Sequence, residues 1–217
     1  SPIRANTVVK LRLSGDYFDE SIPTVTNATV YITSLNDNTV INFEDPDADG
    51  DYTPEIPFLP EEQTTYELTV EYNNETYKGL AQRVKSTPLT SVVQGDETLF
   101  SGEETELEVV FSDNADQENF YLFDFSNAIF VTIEDRFFNG VEYNFSFFYE
   151  EDEIEIPSTV TIKMTGISKD YYTYFRVLDS QSGGGGGGPF ETIPATLLGN
   201  IINTSNPDNT ALGFFHI

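Results

Sequence analysis

Asp45, Asp47, Asp49 and Asp51 are the residues whose spacing can do chemistry, set in the run Asp45-Pro46-Asp47-Ala48-Asp49-Gly50-Asp51. Carboxylates at alternate positions can converge on one hard cation, Ca²⁺ above all, and a glycine allows the tight turn between them. An EF-hand would place a bidentate Glu at the twelfth position of such a loop, between two helices. Here that position is Ile56, with Glu55 one residue early, and the flanking residues have strand composition. The run is thus either a calcium loop in a β protein or a solvated acidic turn. Asp113, Asp116 and Glu118 pose the same question more weakly. The run Glu150-Glu151-Asp152-Glu153 with Glu155 reads as a solvated hairpin tip.

Catalytic equipment is sparse. The only histidine is His216, the penultimate residue, so a Ser-His-Asp arrangement has no credible base. The absence of cysteine excludes thiol nucleophiles and thiolate zinc sites. Six consecutive glycines at 183–188 lack the Lys and Ser/Thr of a phosphate-binding loop. With 37 Asp and Glu, some pair will always suit glycoside hydrolysis, so that pattern carries no information. No enzymatic activity is expected. The excess of those acids over 10 Lys and Arg, a net charge of −27, excludes nucleic-acid binding, which needs cations to displace phosphate counterions. No run of 18 apolar residues encodes a membrane-spanning helix.

The elements that must position these residues are strands. Val, Ile, Thr, Tyr and Phe dominate, with 18 Phe and 12 Tyr. Val9, Leu11 and Leu13 alternate with cations, and Val30 and Ile32 continue the pattern. The run 66–72 has the cleanest period of two and forms a hairpin with 77–84 across Asn73 and Asn74. Further strands are expected at 107–111, 120–125, 128–133, 141–149, 160–164, 195–202 and 211–217. In 141–149 the residues Val141, Tyr143, Phe145, Phe147 and Tyr149 share one face, with Phe148 opposite. One helix is expected at 168–179: Ser168 caps it, Asp170 lies in its first turn, and Tyr171, Tyr174, Phe175 and Leu178 form an apolar stripe against a sheet. The fold class is all-β, with two sandwich-like units of immunoglobulin-like strand spacing. Residues 1–85 form the first. Residues 86–217 form the second, opening on a polar linker and loop over 86–106 and carrying the helix and the Gly-rich loop.

A resemblance runs along nearly the whole chain. It is carried by Val9-Lys10-Leu11-Arg12-Leu13-Ser14, Asp16-Tyr17-Phe18, Gly50-Asp51-Tyr52, Phe111-Ser112-Asp113 and Asp135-Arg136-Phe137-Phe138-Asn139-Gly140. Its most specific part is C-terminal: residues 168–174, Gln181-Ser182-Gly183, Pro189-Phe190, Pro194-Ala195-Thr196, Gly199-Asn200-Ile201 and Ala211-Leu212-Gly213-Phe214-Phe215. In these the chain resembles a Bacteroidota family of outer-membrane lipoproteins of unknown function, encoded beside TonB-dependent receptors. The resemblance implies a lipid-anchored precursor at the cell surface, touching the membrane only through an N-terminal anchor that precedes Ser1. It also implies an outer-membrane β-barrel partner such as a TonB-dependent transporter.

The expected function is therefore a non-catalytic accessory or binding lipoprotein that presents loops on a sheet scaffold. Two alternatives stand beside it. One is a free-standing module that binds a glycan or peptide in nutrient capture, signalled by an exposed aromatic patch at Phe147, Phe148 and Tyr149. The other is an adhesin or stalk stabilised by calcium at Asp45, Asp47, Asp49 and Asp51.

Overall fold

The computed structural model of the chain describes residues 7–15, 22–115, 117–154, 157–181 and 197–217. Thirteen strands and one helix are formed among them, and every pair of strands is antiparallel. The class is all-β and sandwich-like, as the composition requires.

The chain divides into two compact units. The first comprises Ser1–Arg83 together with Pro194–Ile217. Its strands are β1 (Val9–Lys10), β2 (Thr29–Ser34), β3 (Val40–Glu44), β4 (Asp51–Pro54), β5 (Thr65–Tyr72), β6 (Glu75–Gln82) and β13 (Ile201–Asn203), in one sheet of order β1-β4-β3-β2-β5-β6-β13. Val30 stands opposite Val70, and Ile32 opposite Leu68, so the alternation of the two strands puts four apolar side chains on one face. Phe43, Tyr52, Tyr66 and Phe215 complete that core. Burying each such side chain contributes about 1.5–3 kcal/mol. The β5–β6 hairpin turns on Asn73 and Asn74, both at positive φ (49° and 62°), the conformation of the tightest hairpin turns.

The closing segment differs from expectation. Residues 197–217 belong to the first unit, because β13 pairs with β6, Ile201 opposite Gly79. A Cβ on Gly79 would lie 2.5 Å from Ile201 Cδ1 and 3.2 Å from Phe215 Cβ, so glycine there lets this segment close on the sheet. Residues 211–217 form no strand. The Asn200 amide takes the place of a ladder partner, accepting from Phe215 N–H (2.7 Å) and donating to Phe215 O (2.8 Å).

The second unit is Val84–Ile193. It holds β7 (Leu89–Gln94), β8 (Thr105–Ser112), β9 (Phe120–Asp124), β10 (Phe130–Glu134), β11 (Glu142–Tyr149), β12 (Lys163–Ile167) and helix α1 (Lys169–Gln181). Two three-stranded sheets, β11-β8-β7 and β10-β9-β12, pack their inner faces together. The core between them is aromatic. Phe111 meets Tyr121 edge-on at 5.0 Å, Phe123 meets Phe145 at 5.2 Å, and Phe125 stacks on Phe147 at 3.8 Å. Strand β9 is buried on both faces: Tyr121 and Phe123 point into the sandwich, Phe120 and Leu122 towards α1.

Part of the polar stretch 86–106, expected as linker and loop, is strand β7, paired with β8 through a bulge between Leu89 and Ser91. The helix starts as expected: Ser168 Oγ accepts from Tyr171 N–H at 3.1 Å. Its buried residue is Tyr172, whose ring lies tilted against Phe120 at 4.9 Å and which is absent from the expected stripe. Phe175 meets Phe130, Tyr171 packs partly against the same cluster, and Leu178 is exposed. The six-glycine run and Asp116 lie outside the described residues.

Candidate functional site

The acidic run forms the turn between β3 and β4. Asp45 organises it, accepting from the N–H of Asp49 (3.1 Å) and of Gly50 (2.9 Å). Asp49 accepts in turn from Asp51 N–H at 2.8 Å. Gly50 sits at φ +82°, and a side chain there would strike Arg12 Nη1 and the Leu11 carbonyl. Carboxylate oxygens of Asp45, Asp47 and Asp49 come within 4.8 Å of one another. Three carboxylates so placed can supply part of the six to eight oxygens that Ca²⁺ takes. Both Asp45 oxygens are already engaged by backbone N–H groups, which turns part of its charge to holding the loop.

Asp51 is not brought to this cluster. It is the first residue of β4 and pairs with Lys10 Nζ and with Arg12 Nη2 at 2.6 Å. Its hydrogen bonds from Lys10 and then Arg12 hold its carboxyl below the usual range. Arg12 also donates to Gly50 O at 2.8 Å, so Lys10 of β1 and Arg12 just beyond it clamp the turn from outside.

A second feature of the first unit is an open groove of about 570 Å³. Residues 55–61 form one wall, and the outer edge of β3 forms the other. The wall is fixed at both ends. Glu55 N–H bonds Asn42 O (3.1 Å), Glu61 N–H bonds the Tyr66 hydroxyl (2.9 Å), and Arg83 bonds Pro60 O (2.9 Å). Phe58 packs edge-on against Tyr66 at 5.2 Å. Between these anchors Ile56 and Leu59 are 73% and 74% exposed. Asp37, Glu55 and Glu61 bring carboxylates to the lining. Bonds from Ser34 and then Thr39 hold Asp37 at about 2, so it stays charged.

The buried carboxylates of the second unit do structural work. Asp113 accepts from the Tyr121 hydroxyl and from Gly140 N–H (2.8 Å), tying β9 to the β10–β11 turn. Asp135 accepts from Asn119 N–H at 2.8 Å, and burial raises its carboxyl. Glu106 accepts from Ser146 Oγ (2.5 Å) and Glu97 N–H (2.9 Å). Glu104 accepts from the N–H groups of Ser101, Leu99 and Gly102. That cradle fixes the 95–104 loop, on which Phe100 stands fully exposed. In sequence these four acids look like surface charge; the signal is that each borders a loop rich in unpaired backbone N–H groups.

The aromatic surface expected at Phe147, Phe148 and Tyr149 is only partly exposed. Tyr149 is fully buried, Phe147 is stacked on Phe125, and Phe148 is half-buried. No helix among the described residues is long and apolar enough to cross a membrane.

Fold and loops together define an all-β protein of sandwich-like units that fixes its loops through carboxylates. The chain belongs to the family described as "Domain of unknown function (DUF4249)", whose model matches residues 1–217. No curated protein matches it.

Proposed function

We propose that this chain is a non-catalytic binding protein, an accessory lipoprotein at the cell surface that works with an outer-membrane β-barrel of the TonB-dependent transporter kind. The observation that supports binding is the pinned, outward-facing apolar loop. Ile56 and Leu59 in the first unit and Phe100 in the second are held in the open by hydrogen bonds to the loops that carry them. Exposed apolar side chains on fixed loops are what a protein partner buries, since a loop already held in place lowers the ordering cost of association. The Bacteroidota source, the lipid anchor and the barrel partner rest on the sequence resemblance alone.

The test is a tagged pull-down from native membranes in mild detergent, followed by mass spectrometry. Stoichiometric recovery of an outer-membrane β-barrel is expected. Recovery of the protein alone would remove the accessory role and leave a free-standing module.

The convergence of Asp45, Asp47 and Asp49 favours a second reading, a surface module stabilised by calcium. It expects Ca²⁺ to raise the melting temperature and Asp47→Asn with Asp49→Asn to abolish the rise. Identical melting in calcium and chelator would eliminate it.

A further inference from the structure

We propose that the groove between β3 and residues 55–61 takes an extended segment of a partner protein, apolar residues interleaved with Lys or Arg, which adds as a strand to the outer edge of β3. The proposal deepens the binding reading above and does not depend on the barrel partner.

The backbone of β3 supports strand addition. Ser34 N–H bonds Thr39 O at 2.9 Å, which turns residues 39, 41 and 43 towards β2. Residues 40, 42 and 44 therefore carry their N–H and C=O groups to the opposite edge. Strand β4 covers only part of that edge: Glu44 pairs with Thr53, Phe43 with Pro54, and Glu55 N–H reaches Asn42 O. Beyond this point the chain leaves: Val40 pairs with Thr33 of β2 on its inner side, and no described strand pairs with it on the outer edge. The departing segment cannot continue the ladder, because Pro57 and Pro60 have no N–H to donate. An uncovered edge of this kind is a template for another extended chain.

The side chains around it define the occupant. Val40, Ile56 and Leu59 are more than half exposed, and Ile41, Phe58 and Tyr66 line the groove between them. Alternate residues of an added strand would meet this apolar surface. Charge selects among apolar strands. Asp37, Glu55 and Glu61 stand in the lining, and no Lys or Arg does. The chain carries a net charge of −27, which repels a second copy of itself and draws in a cationic segment from a distance.

The experiment uses the full chain and a short peptide alternating Lys with Val and Ile, capped at both ends and labelled for fluorescence anisotropy. A peptide with Glu in place of Lys is the control. Saturable binding of the Lys peptide is expected, weakened on the order of tenfold or more by E55K with E61K, and likewise by L59D. Val40→Pro removes the outward N–H at the first residue of an edge, where proline is tolerated. It should weaken binding similarly while leaving the circular dichroism spectrum unchanged. Equal binding of both peptides would overturn the proposal, as would no binding at millimolar peptide or no effect of E55K with E61K. Concentration-dependent dimerisation abolished by Val40→Pro would overturn it too, giving the edge to a second copy. Recovery of a barrel with no peptide binding would leave the accessory role standing and remove this groove from it.

Discussion

In the second unit Glu104, Glu106, Asp113 and Asp135 are buried, and each accepts hydrogen bonds that hold a loop or strand end. In the first unit the buried polar residues among those described are Ser34, Thr64, Thr69 and Asn203, all neutral. Its acids stand at the surface, around the β3–β4 turn and the groove. The difference follows from how each core is built. Two sheets closed on stacked aromatic rings leave long loops at their ends, and those loops have backbone N–H groups that an internal carboxylate can satisfy. A single sheet covers its core mainly with its own strands and leaves its charge facing outward. The second unit buries the acids that hold its loops, whereas the first keeps at the surface those that tie its own turns, Asp45 and Glu75 among them.

The largest effect that would sharpen this contrast is a break in the aromatic core. Phe123 is fully buried against Phe111, Phe125 and Phe145. Phe123→Ala should destabilise the second unit by about 3–5 kcal/mol in denaturant unfolding. Native hydrogen-exchange protection in β5 and β6 would then show whether the first unit persists without it.

Asp113→Ala comes next. It strands the Tyr121 hydroxyl and Gly140 N–H inside the second unit, at a cost of about 1–3 kcal/mol. A change below about 0.5 kcal/mol, the usual range for a surface substitution, would show that Asp113 is ordinary surface charge and that the contrast is false.

The smallest effects lie in the acid limb of stability. Backbone N–H groups, Ser101 foremost, hold Glu104 at about 2 against an ordinary 4.5. A carboxyl whose folded value lies below its unfolded one stabilises fully above about pH 4.5, and that contribution fades as pH falls towards 2. Glu104→Gln should therefore lower the melting temperature at pH 7 and flatten its fall between pH 5 and 2. In the first unit Glu75 is held at about 2 by the Tyr77 hydroxyl and by Asn206, Asn209 and Asn203. Glu75→Gln should speed hydrogen exchange in residues 203–209 at pH 7, with little further change on acidification. Equal acid profiles for wild type and both variants would dissolve the comparison.

Much of the fold was legible because strands write a period of two: β2, β5, β8, β9 and β11 lie where their alternation places them. The Ser168 cap was equally plain. What escaped was decided at a distance. Strand β7 (LTSVVQ) is short, polar and largely exposed, and only its pairing with β8 makes it a strand. Tyr172 escaped the helical stripe because the helix turns towards Phe120, which no local pattern records. At the acidic turn, spacing identified Asp45, Asp47 and Asp49 correctly as neighbours. Asp51 was misplaced because its partners, Lys10 and Arg12, arrive from about 40 residues away in the chain. The groove was invisible: Ile56 and Leu59 look like core residues until the prolines around them are seen to hold them out.

The pairing of β13 with β6 has a consequence for how the chain is made. Residues 84–193 leave the ribosome between the two halves of the first unit, so the second unit can fold while the first sheet still lacks its last strand. Until residue 201 emerges, the edge of β6 at Gly79 is bare and open to wrong partners. Closure then costs entropy that grows only as the logarithm of the intervening length, and an inserted unit that is already compact shortens that length further. Early folding of the inserted unit is thus what would keep that bare edge short-lived during synthesis.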